Sequence, residues 1–183
     1  MMRAHLADSR IDRILISEEQ IAARVTELGH RISCDYAARD LVLITVLKGG
    51  TIFLADLCRR IDTVHSIDFM AVSSYGPGAG GAVAITKDLD DAIEDRDVLM
   101  VEDIIDTGLT LNYLLKVLRQ RRPASLAVCT LLDKDVRRLV DLPIEYRGFE
   151  VPDRFLVGYG LDLDGIWRNL PSVATLREEV WDG

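Results

Sequence analysis

The sequence predicts an α/β fold built on a mainly parallel, doubly wound sheet. Continuous apolar runs alternate with segments of helical periodicity, which is typical of a parallel sheet covered by helices on both faces. The chain has 183 residues, of which 49% are apolar, 28% charged and 6% aromatic. This length is sufficient for one domain with a full core, and the composition indicates a globular protein rather than a disordered or fibrous one.

The first predicted elements are a helix and a buried strand. Ser17 and Gln20 form the capping-box pattern of a helix N-terminus, and apolar residues then recur at helical spacing. Residues 41–47 form a continuous apolar run, as expected of a strand buried on both faces. Lys48-Gly49-Gly50 follows this strand directly, and a second helix is predicted over residues 52–60.

A third strand is predicted over residues 67–73, and it leads into Ser74-Tyr75. A glycine-rich insert occupies residues 76–81, and a strand resumes over residues 83–86. Taken alone, the insert is equally consistent with a simple hairpin tip and with a functional loop.

The most informative motif lies in the middle of the chain. Residues 98–101 are predicted to form a buried strand, Glu102 and Asp103 follow it directly, and Asp106 precedes Thr107-Gly108-Leu109-Thr110. A helical pattern begins at residue 111, so the backbone N–H groups of this loop lie beside a helix N-terminus and can bind an anion. Solvated loop acids with an N-cap aspartate are the structural alternative. Because acids beside an anion-binding loop carry an energetic cost, we interpret the motif as functional.

The same edge of the sheet receives polar residues from three predicted strands. Residues 125–132 form another apolar strand, which ends at Asp133-Lys134. Ligands of doubly wound sheets bind at the carboxyl ends of the strands. We therefore expect Lys48, the 102–103 pair and Lys134 to lie along one edge. Two further short strands are predicted, over residues 144–149 and 155–159.

Charge and composition exclude several classes of function. The formal net charge of −8 argues against non-specific nucleic-acid binding, since no basic surplus neutralises phosphates. No apolar run approaches membrane-spanning length, and the charged first 14 residues do not resemble a signal peptide. The three cysteines, Cys34, Cys58 and Cys129, have no metal-site spacing and are expected to be reduced and buried. These features predict a soluble cytoplasmic protein without a nucleic-acid or membrane partner.

The string over residues 98–110 resembles the phosphoribosyl-pyrophosphate loop of the type I phosphoribosyltransferases. Its Glu-Asp-x-x-Asp-Thr-Gly form is similar to that of the 6-oxopurine enzymes, the hypoxanthine-guanine phosphoribosyltransferases. The resemblance covers roughly residues 41–170. It implies the type I phosphoribosyltransferase fold in one domain over residues 1–183, with a core over about 35–140. A small hood built from the N-terminal segment and about residues 141–183 completes the expected fold.

The resemblance also implies roles for the central loop. Glu102 and Asp103 are expected to bind the ribose hydroxyls, directly or through metal-bound water, because ionised carboxylates accept hydrogen bonds. Asp106 is expected to face N7 of a purine and to act as the catalytic general base. The 5-phosphate is expected to bind the loop formed by Ile105, Thr107, Gly108, Leu109 and Thr110.

Pyrophosphate binding is implied at three further places: Lys48 and Gly49, Ser74 and Tyr75, and Arg168. By itself, Lys-Gly-Gly after a strand is most often a strand-to-helix turn. In the resembled family the Leu47–Lys48 bond is often a cis peptide. The segment after Ser73 corresponds to a lid, which suits a reaction that must exclude water from a ribosyl oxocarbenium ion.

Purine recognition is implied at Lys134, Phe155, Leu156 and Asp162. A lysine after a strand is usually a solvated surface charge, and a lone Phe is usually a core residue. In the family the lysine donates to O6, which discriminates against the amino group of adenine. Phe155 corresponds to an aromatic residue that stacks on the base. Mg²⁺ is the expected cofactor, with Glu102, Asp103 and Asp162 as the implied metal carboxylates.

These implications together predict a purine-salvage enzyme. It would convert hypoxanthine or guanine and phosphoribosyl pyrophosphate to IMP or GMP and pyrophosphate, as a homodimer or homotetramer. A xanthine-preferring enzyme is one alternative. An RNA-binding regulator of the same fold is a second, against which Asp106 and the net charge weigh. A phospho-acceptor receiver domain is a third, but it would lack the Thr-Gly-Leu-Thr loop and the match over residues 155–162.

Overall fold

The computed structural model describes residues 8–74 and 83–181, which form two β-sheets and their covering helices. The strands are β1 (Ile11–Ile16), β2 (Leu41–Val46), β3 (His65–Ser74), β4 (Val83–Lys87), β5 (Asp97–Ile105), β6 (Ser125–Asp133), β7 (Ile144–Glu150), β8 (Leu156–Val157) and β9 (Val173–Leu176). The helices are α1 (Glu18–Asp35), α2 (Thr51–Cys58), α3 (Leu109–Arg119) and α4 (Glu178–Trp181), with a one-turn 3₁₀ helix over Asp135–Arg137.

The main sheet has six strands in the order β4-β3-β2-β5-β6-β7. All neighbouring pairs are parallel except β3 and β4, which are antiparallel. The predicted fold class is therefore confirmed. β7 pairs with β6 at the edge of this sheet, so the main sheet extends beyond residue 140.

Helices cover both faces of the main sheet, as a doubly wound fold requires. Along β5, Leu99 and Val101 share one core cluster with α1 and α2. Val98 and Met100, which alternate with them, share the other cluster with α3. Since successive strand residues point to opposite faces, this alternation explains why residues 98–101 are all apolar.

The second sheet is a small antiparallel one, in the order β1-β9-β8. β1 comes from the N-terminal part of the chain and pairs with β9 from the C-terminal part. Ile11, Val157 and Trp167 are among the residues of a separate small core between them. The two ends of the chain thus meet in one small sheet, and we call this sheet together with the loop between β8 and β9 the hood.

Several predicted boundaries agree with the structure. Ser17 caps α1, and its hydroxyl oxygen accepts from Gln20 N while Gln20 Oε1 accepts from Ser17 N, which is the predicted capping box. The strands at residues 41–47 and 125–132 also appear within one residue of their predicted ends.

Three boundaries differ. β5 continues to Ile105, so Glu102 and Asp103 lie within the strand rather than in the loop after it. The strand continues because Glu102 and Ile105 still pair with Thr130 and Asp133 of β6. α3 begins at Leu109, two residues earlier than predicted, and the predicted strand at residues 155–159 is limited to Leu156–Val157.

Within the described ranges, no helix combines the length and apolar character needed to cross a membrane. The cysteines are all free, but only Cys129 is buried. Cys58 is partly exposed and Cys34 is exposed, so the expectation of three buried cysteines was wrong for these two.

Candidate active site

The carboxyl ends of β2, β5 and β6 bring the predicted polar residues together at one edge of the main sheet. β5 lies between β2 and β6 and is parallel to both. The turn after β2 touches the acids of β5, because a Cβ atom on Gly49 would lie 1.9 Å from Asp103 Oδ2. The residue after β6 is tied to the end of β5, since Lys134 N donates to Ile105 O at 3.0 Å. The predicted convergence is observed.

The acid pair of β5 carries an unfavourable concentration of negative charge. Both side chains are half-buried. Burial, followed by repulsion from Asp103, raises the pKa of Glu102 well above its usual value. Burial also raises the pKa of Asp103, although the N–H of Ile104, which donates to Asp103 Oδ1 at 2.9 Å, opposes that shift. A cation or a pair of hydroxyl donors at this position would offset the cost of ionising the two groups.

A loop of the hood places Asp162 and Arg168 against this pair. Arg168 Nη2 lies 2.6 Å from Asp162 Oδ1, and the two side chains act on the Asp103 pKa in opposite directions. The loop also rests directly on the turn after β2. Gly160 has a φ of 102°, and a Cβ atom there would lie 2.2 Å from Gly49 O, so this close approach requires glycine.

The donor chemistry fits a hard divalent cation. Among the described residues, no three His, Cys, Asp or Glu side chains are close enough to form a complete metal cage. Mg²⁺ in proteins is commonly held by one or two carboxylates together with substrate phosphate oxygens and water. Asp103 and Asp162, whose charges repel each other, provide such a partial set.

The turn between β5 and α3 is the candidate site for an anion. A cavity of about 180 Å³ is lined by both ends of this turn, with Glu102, Asp106, Thr107 and Thr110 among its residues. Gly108 precedes the helix with a φ of 79°, a left-handed conformation that favours glycine. A Cβ atom there would also lie 2.7 Å from a methyl carbon of Leu142. The first-turn N–H groups of α3 have no intrahelical acceptors, and only that of Leu109 donates locally, to Thr107 Oγ1 at a long 3.5 Å.

Lys134 is a buried cation beside Asp106, not a surface charge. Its side chain is 8% exposed, and its Nζ lies 3.9 Å from Asp153 Oδ1. Burial lowers the pKa of Lys134, while the negative charges of Asp106 and Asp153 oppose that shift. A buried ammonium requires polar partners, so this position suits a ligand that accepts hydrogen bonds.

Phe155 and Leu156 lie at the junction with the hood. The ring of Phe155 packs against that of Trp181, with centroids 6.0 Å apart. Leu156 is buried in β8 and pairs with Thr175. Phe155 therefore packs at the edge of the hood core, and its contact with a base stays a prediction.

The remaining predicted residues have mixed outcomes. The Leu47–Lys48 peptide bond is cis, as the resemblance implied, and Lys48 is exposed. Ser74 ends β3 opposite Val83. Tyr75 and the glycine-rich insert lie outside the described residues.

Two charged residues of this site, Arg137 and Asp153, were not predicted from the sequence. Arg137 Nε lies 3.2 Å from Asp106 Oδ1, and Arg137 Nη1 lies 3.5 Å from Asp153 Oδ1. The arginine pair at residues 137–138 was the available signal, since it follows Lys134 by one turn. The sequence could not show that Arg138 turns instead to the buried Asp133, with which it forms an ion pair.

The mainly parallel doubly wound sheet, with an acid pair and a glycine turn at its edge, agrees with the expected phosphoribosyltransferase architecture. The model of the phosphoribosyl transferase domain matches residues 14–164, and the chain belongs to this family.

Curated relatives are similar over nearly the whole chain. The hypoxanthine-guanine phosphoribosyltransferase of Bacillus subtilis is 48% identical over 174 residues, which are 94% of this chain and 97% of the relative. The hypoxanthine phosphoribosyltransferase of Escherichia coli is 48% identical over 164 residues, covering 87% and 92% of the two chains.

A solved structure of a hypoxanthine phosphoribosyltransferase from Staphylococcus aureus superposes with a TM-score of 0.94 at 44% identity, covering 100% of both chains. These similarities confirm the resemblance predicted from the sequence, and with it the expectation of a transferase.

Proposed function

We propose that the protein transfers the phosphoribosyl group of 5-phosphoribosyl 1-pyrophosphate to hypoxanthine or guanine. The products would be IMP or GMP and pyrophosphate, a reaction of purine salvage. One observation carries the proposal: the buried Lys134 is held by its N–H to Ile105 O, between the acid pair of β5 and the turn before α3. A base, a sugar and a phosphate would then have adjacent sites, and the names of the relatives agree with this assignment.

We assign the 5-phosphate to the turn before α3. Its ligands would be the hydroxyls of Thr107 and Thr110 and the N–H groups from Gly108 onward, with Ile105 and Leu109 contributing backbone. The N-terminus of α3, which directly follows this turn, supports the assignment. Leu109, which is half exposed, offers only its backbone to an anion.

We assign the ribose to Glu102 and Asp103. Two adjacent carboxylates suit the 2- and 3-hydroxyls, which are donors. Mg²⁺ would be held on the Asp103 and Asp162 side of this site, with Glu102 as a further carboxylate, and would supply charge neutralisation for the leaving pyrophosphate. The raised pKa values of Glu102 and Asp103 support a positively charged partner here.

We assign pyrophosphate to the turn after β2 and to the hood. Gly49 presents backbone to the site because a side chain would strike Asp103. Lys48 and Arg168 would supply positive charge to the leaving group. Ser74 and Tyr75 remain predicted contacts of the lid.

We assign the purine to Lys134, Phe155, Leu156 and the backbone near Asp162. The Lys134 ammonium would donate to O6, so the 6-amino group of adenine would place a donor against a donor. Phe155 would stack on the ring, and its neighbour Leu156 would offer backbone groups to the amide edge of the base.

The proposed chemistry needs no covalent nucleophile. The bond from C1′ to the pyrophosphate oxygen breaks, the bond from C1′ to N9 of the base forms, and Asp106 accepts the proton from N7. Positive charge on the ribosyl group in the transition state would be stabilised by Glu102, Asp103 and Asp106. Orientation of the two substrates at one sheet edge contributes further to the rate.

A steady-state assay with hypoxanthine, guanine, xanthine and adenine, each with phosphoribosyl pyrophosphate and Mg²⁺, tests this function. Turnover of hypoxanthine or guanine but not adenine is expected. Turnover of xanthine alone would show that the substrate is xanthine rather than hypoxanthine or guanine. No turnover of any base would reject the enzymatic proposal in favour of a regulator.

Three broader expectations stay predictions: a single domain over residues 1–183 with its hood, a homodimer or homotetramer, and a cytoplasmic location without a nucleic-acid partner.

A further inference from the structure

The one-turn 3₁₀ helix after β6 lies across the residue that we assign as the general base. Lys134 N donates to Ile105 O at 3.0 Å, and Leu139 N donates to Thr107 O at 3.0 Å. These hydrogen bonds hold the segment over residues 134–139 to Ile105 and Thr107, the two residues on either side of Asp106. The position of this segment relative to Asp106 is therefore fixed by backbone, not by surface side chains.

Arg137 at the end of this turn forms a bridge between two carboxylates. Its Nε lies 3.2 Å from Asp106 Oδ1, and its Nη1 lies 3.5 Å from Asp153 Oδ1. Asp106 Oδ1 is shielded from solvent and has no well-aligned hydrogen-bond donor among the described residues. Arg137 thus supplies charge and shielding but leaves the hydrogen-bonding capacity of this oxygen unused.

The second partner distinguishes Arg137 from an ordinary surface ion pair. Asp153 is also the carboxylate nearest to the Lys134 ammonium, so it already belongs to the base-binding position. If Arg137 leaves Asp106, the guanidinium keeps the ionic partner that it already has in Asp153. The guanidinium therefore does not become an uncompensated charge, and only the Asp106 carboxylate needs a new partner.

We propose that Arg137 is a positioning residue, which holds the Asp106 carboxylate in place in the unliganded enzyme and passes to Asp153 when the purine binds. This inference rests on the proposed function, in which N7 of the base donates to Asp106. The hydrogen-bonding capacity that Arg137 leaves unused on Asp106 is then taken by the base. Arg137 itself contacts neither substrate.

The test compares Arg137→Gln with Arg137→Lys and a matched control. Arg137→Gln should lower kcat/KM for hypoxanthine about tenfold while the KM for phosphoribosyl pyrophosphate changes less than about twofold. Arg137→Lys keeps the charge and should restore most of the loss. Arg39→Gln is the control, because Arg39 is 52% exposed against 47% for Arg137 and pairs with Asp97 at the opposite end of β5. It should leave kcat/KM unchanged, and thermal melting should show all three variants folded.

A double-mutant cycle separates action through Asp106 from other roles. In the Asp106→Asn background, Arg137→Gln should change kcat/KM for hypoxanthine by less than about twofold. A tenfold loss in that background as well would overturn the proposal, because Arg137 would then act independently of Asp106. An increase in kcat/KM on Arg137→Gln would also overturn it, since Arg137 would then only block the site.

The proposed function fails in a different way. If the wild-type protein turns over no 6-oxopurine, the function itself is rejected. If the wild type is active and Arg137→Gln matches it, the function stands and the role of Arg137 is rejected.

Discussion

Gly49→Ala probes the contact between the turn after β2 and the acid pair of β5. The added Cβ would lie 1.9 Å from Asp103 Oδ2 and 2.8 Å from Asp103 Cγ, and the three atoms nearest to it all belong to that carboxylate. The Gly49 backbone has no left-handed φ, so the substitution introduces no conformational strain. The perturbation is a push on a single side chain.

The geometry sets the size of the effect. To reach ordinary van der Waals contact, the carboxylate oxygen must move by roughly 1.5 Å. Asp103 has a short side chain, and its other oxygen is held by the N–H of Ile104 at 2.9 Å. The carboxylate is therefore displaced from the position that we assign to binding of the ribose and Mg²⁺. Misplacement of a binding group by about 1 Å costs on the order of 10²-fold in rate, and we expect kcat/KM for phosphoribosyl pyrophosphate to fall by about that factor.

The assay measures nucleotide formation against phosphoribosyl pyrophosphate at several Mg²⁺ concentrations, with melting temperature alongside. Gly50→Ala is the matched control, because its Cβ would meet the hydroxyl of the buried Thr45 at 2.1 Å rather than Asp103. That variant should lose about 1–3 kcal/mol of unfolding free energy and keep its KM for phosphoribosyl pyrophosphate within about threefold. If Gly49→Ala retained wild-type kcat/KM, the placement of Asp103 at the sugar and metal site would be refuted.

The remaining predictions concern the acid Glu102 and the buried Lys134. Burial and Asp103 raise the folded-state pKa of Glu102, so its contribution to stability is present at low pH and is lost as pH rises through that pKa. Glu102→Gln should therefore raise the melting temperature of the unliganded protein at pH 7 and flatten its pH dependence. Glu145→Gln, at an exposed position, should do neither. An unchanged melting curve for Glu102→Gln would contradict the unfavourable burial of Glu102 beside Asp103. Lys134→Ala removes a charged donor worth about 2 kcal/mol, so the KM for hypoxanthine should rise about 30-fold and that for phosphoribosyl pyrophosphate should rise much less. Equal rises in both KM values would indicate general damage instead.

The sequence predicted the sheet and the edge that carries the site because both follow from local pattern. The buried run at residues 98–101 and the glycine turn at 48–50 are visible without a structure. The end of β5 could not be predicted in this way, because Glu102 and Asp103 are polar. Only the pairing of β5 with β6 extends the strand across them. Long-range pairing thus overrides a local signal at the residues that carry function.

The contact partners of side chains were less predictable from the sequence than the strands and turns of the backbone. Lys134 follows a strand in a manner typical of surface lysines, and only the packing around it shows that it is buried. The adjacent arginines take different partners: Arg137 pairs with Asp106 and Asp153, whereas Arg138 pairs with the buried Asp133. These partners depend on the direction of the 3₁₀ turn, and the spacing of residues in the sequence does not predict that direction.

The rate of nucleotide formation by Asp106→Asn, measured together with phosphoribosyl-pyrophosphate binding, tests the central assignment most directly. The amide keeps the size of the side chain but cannot accept the N7 proton as a carboxylate does. The account predicts that kcat falls by about 10²-fold or more while phosphoribosyl-pyrophosphate affinity and melting temperature stay near wild type. Wild-type turnover by the folded variant would contradict it and remove Asp106 from the chemistry.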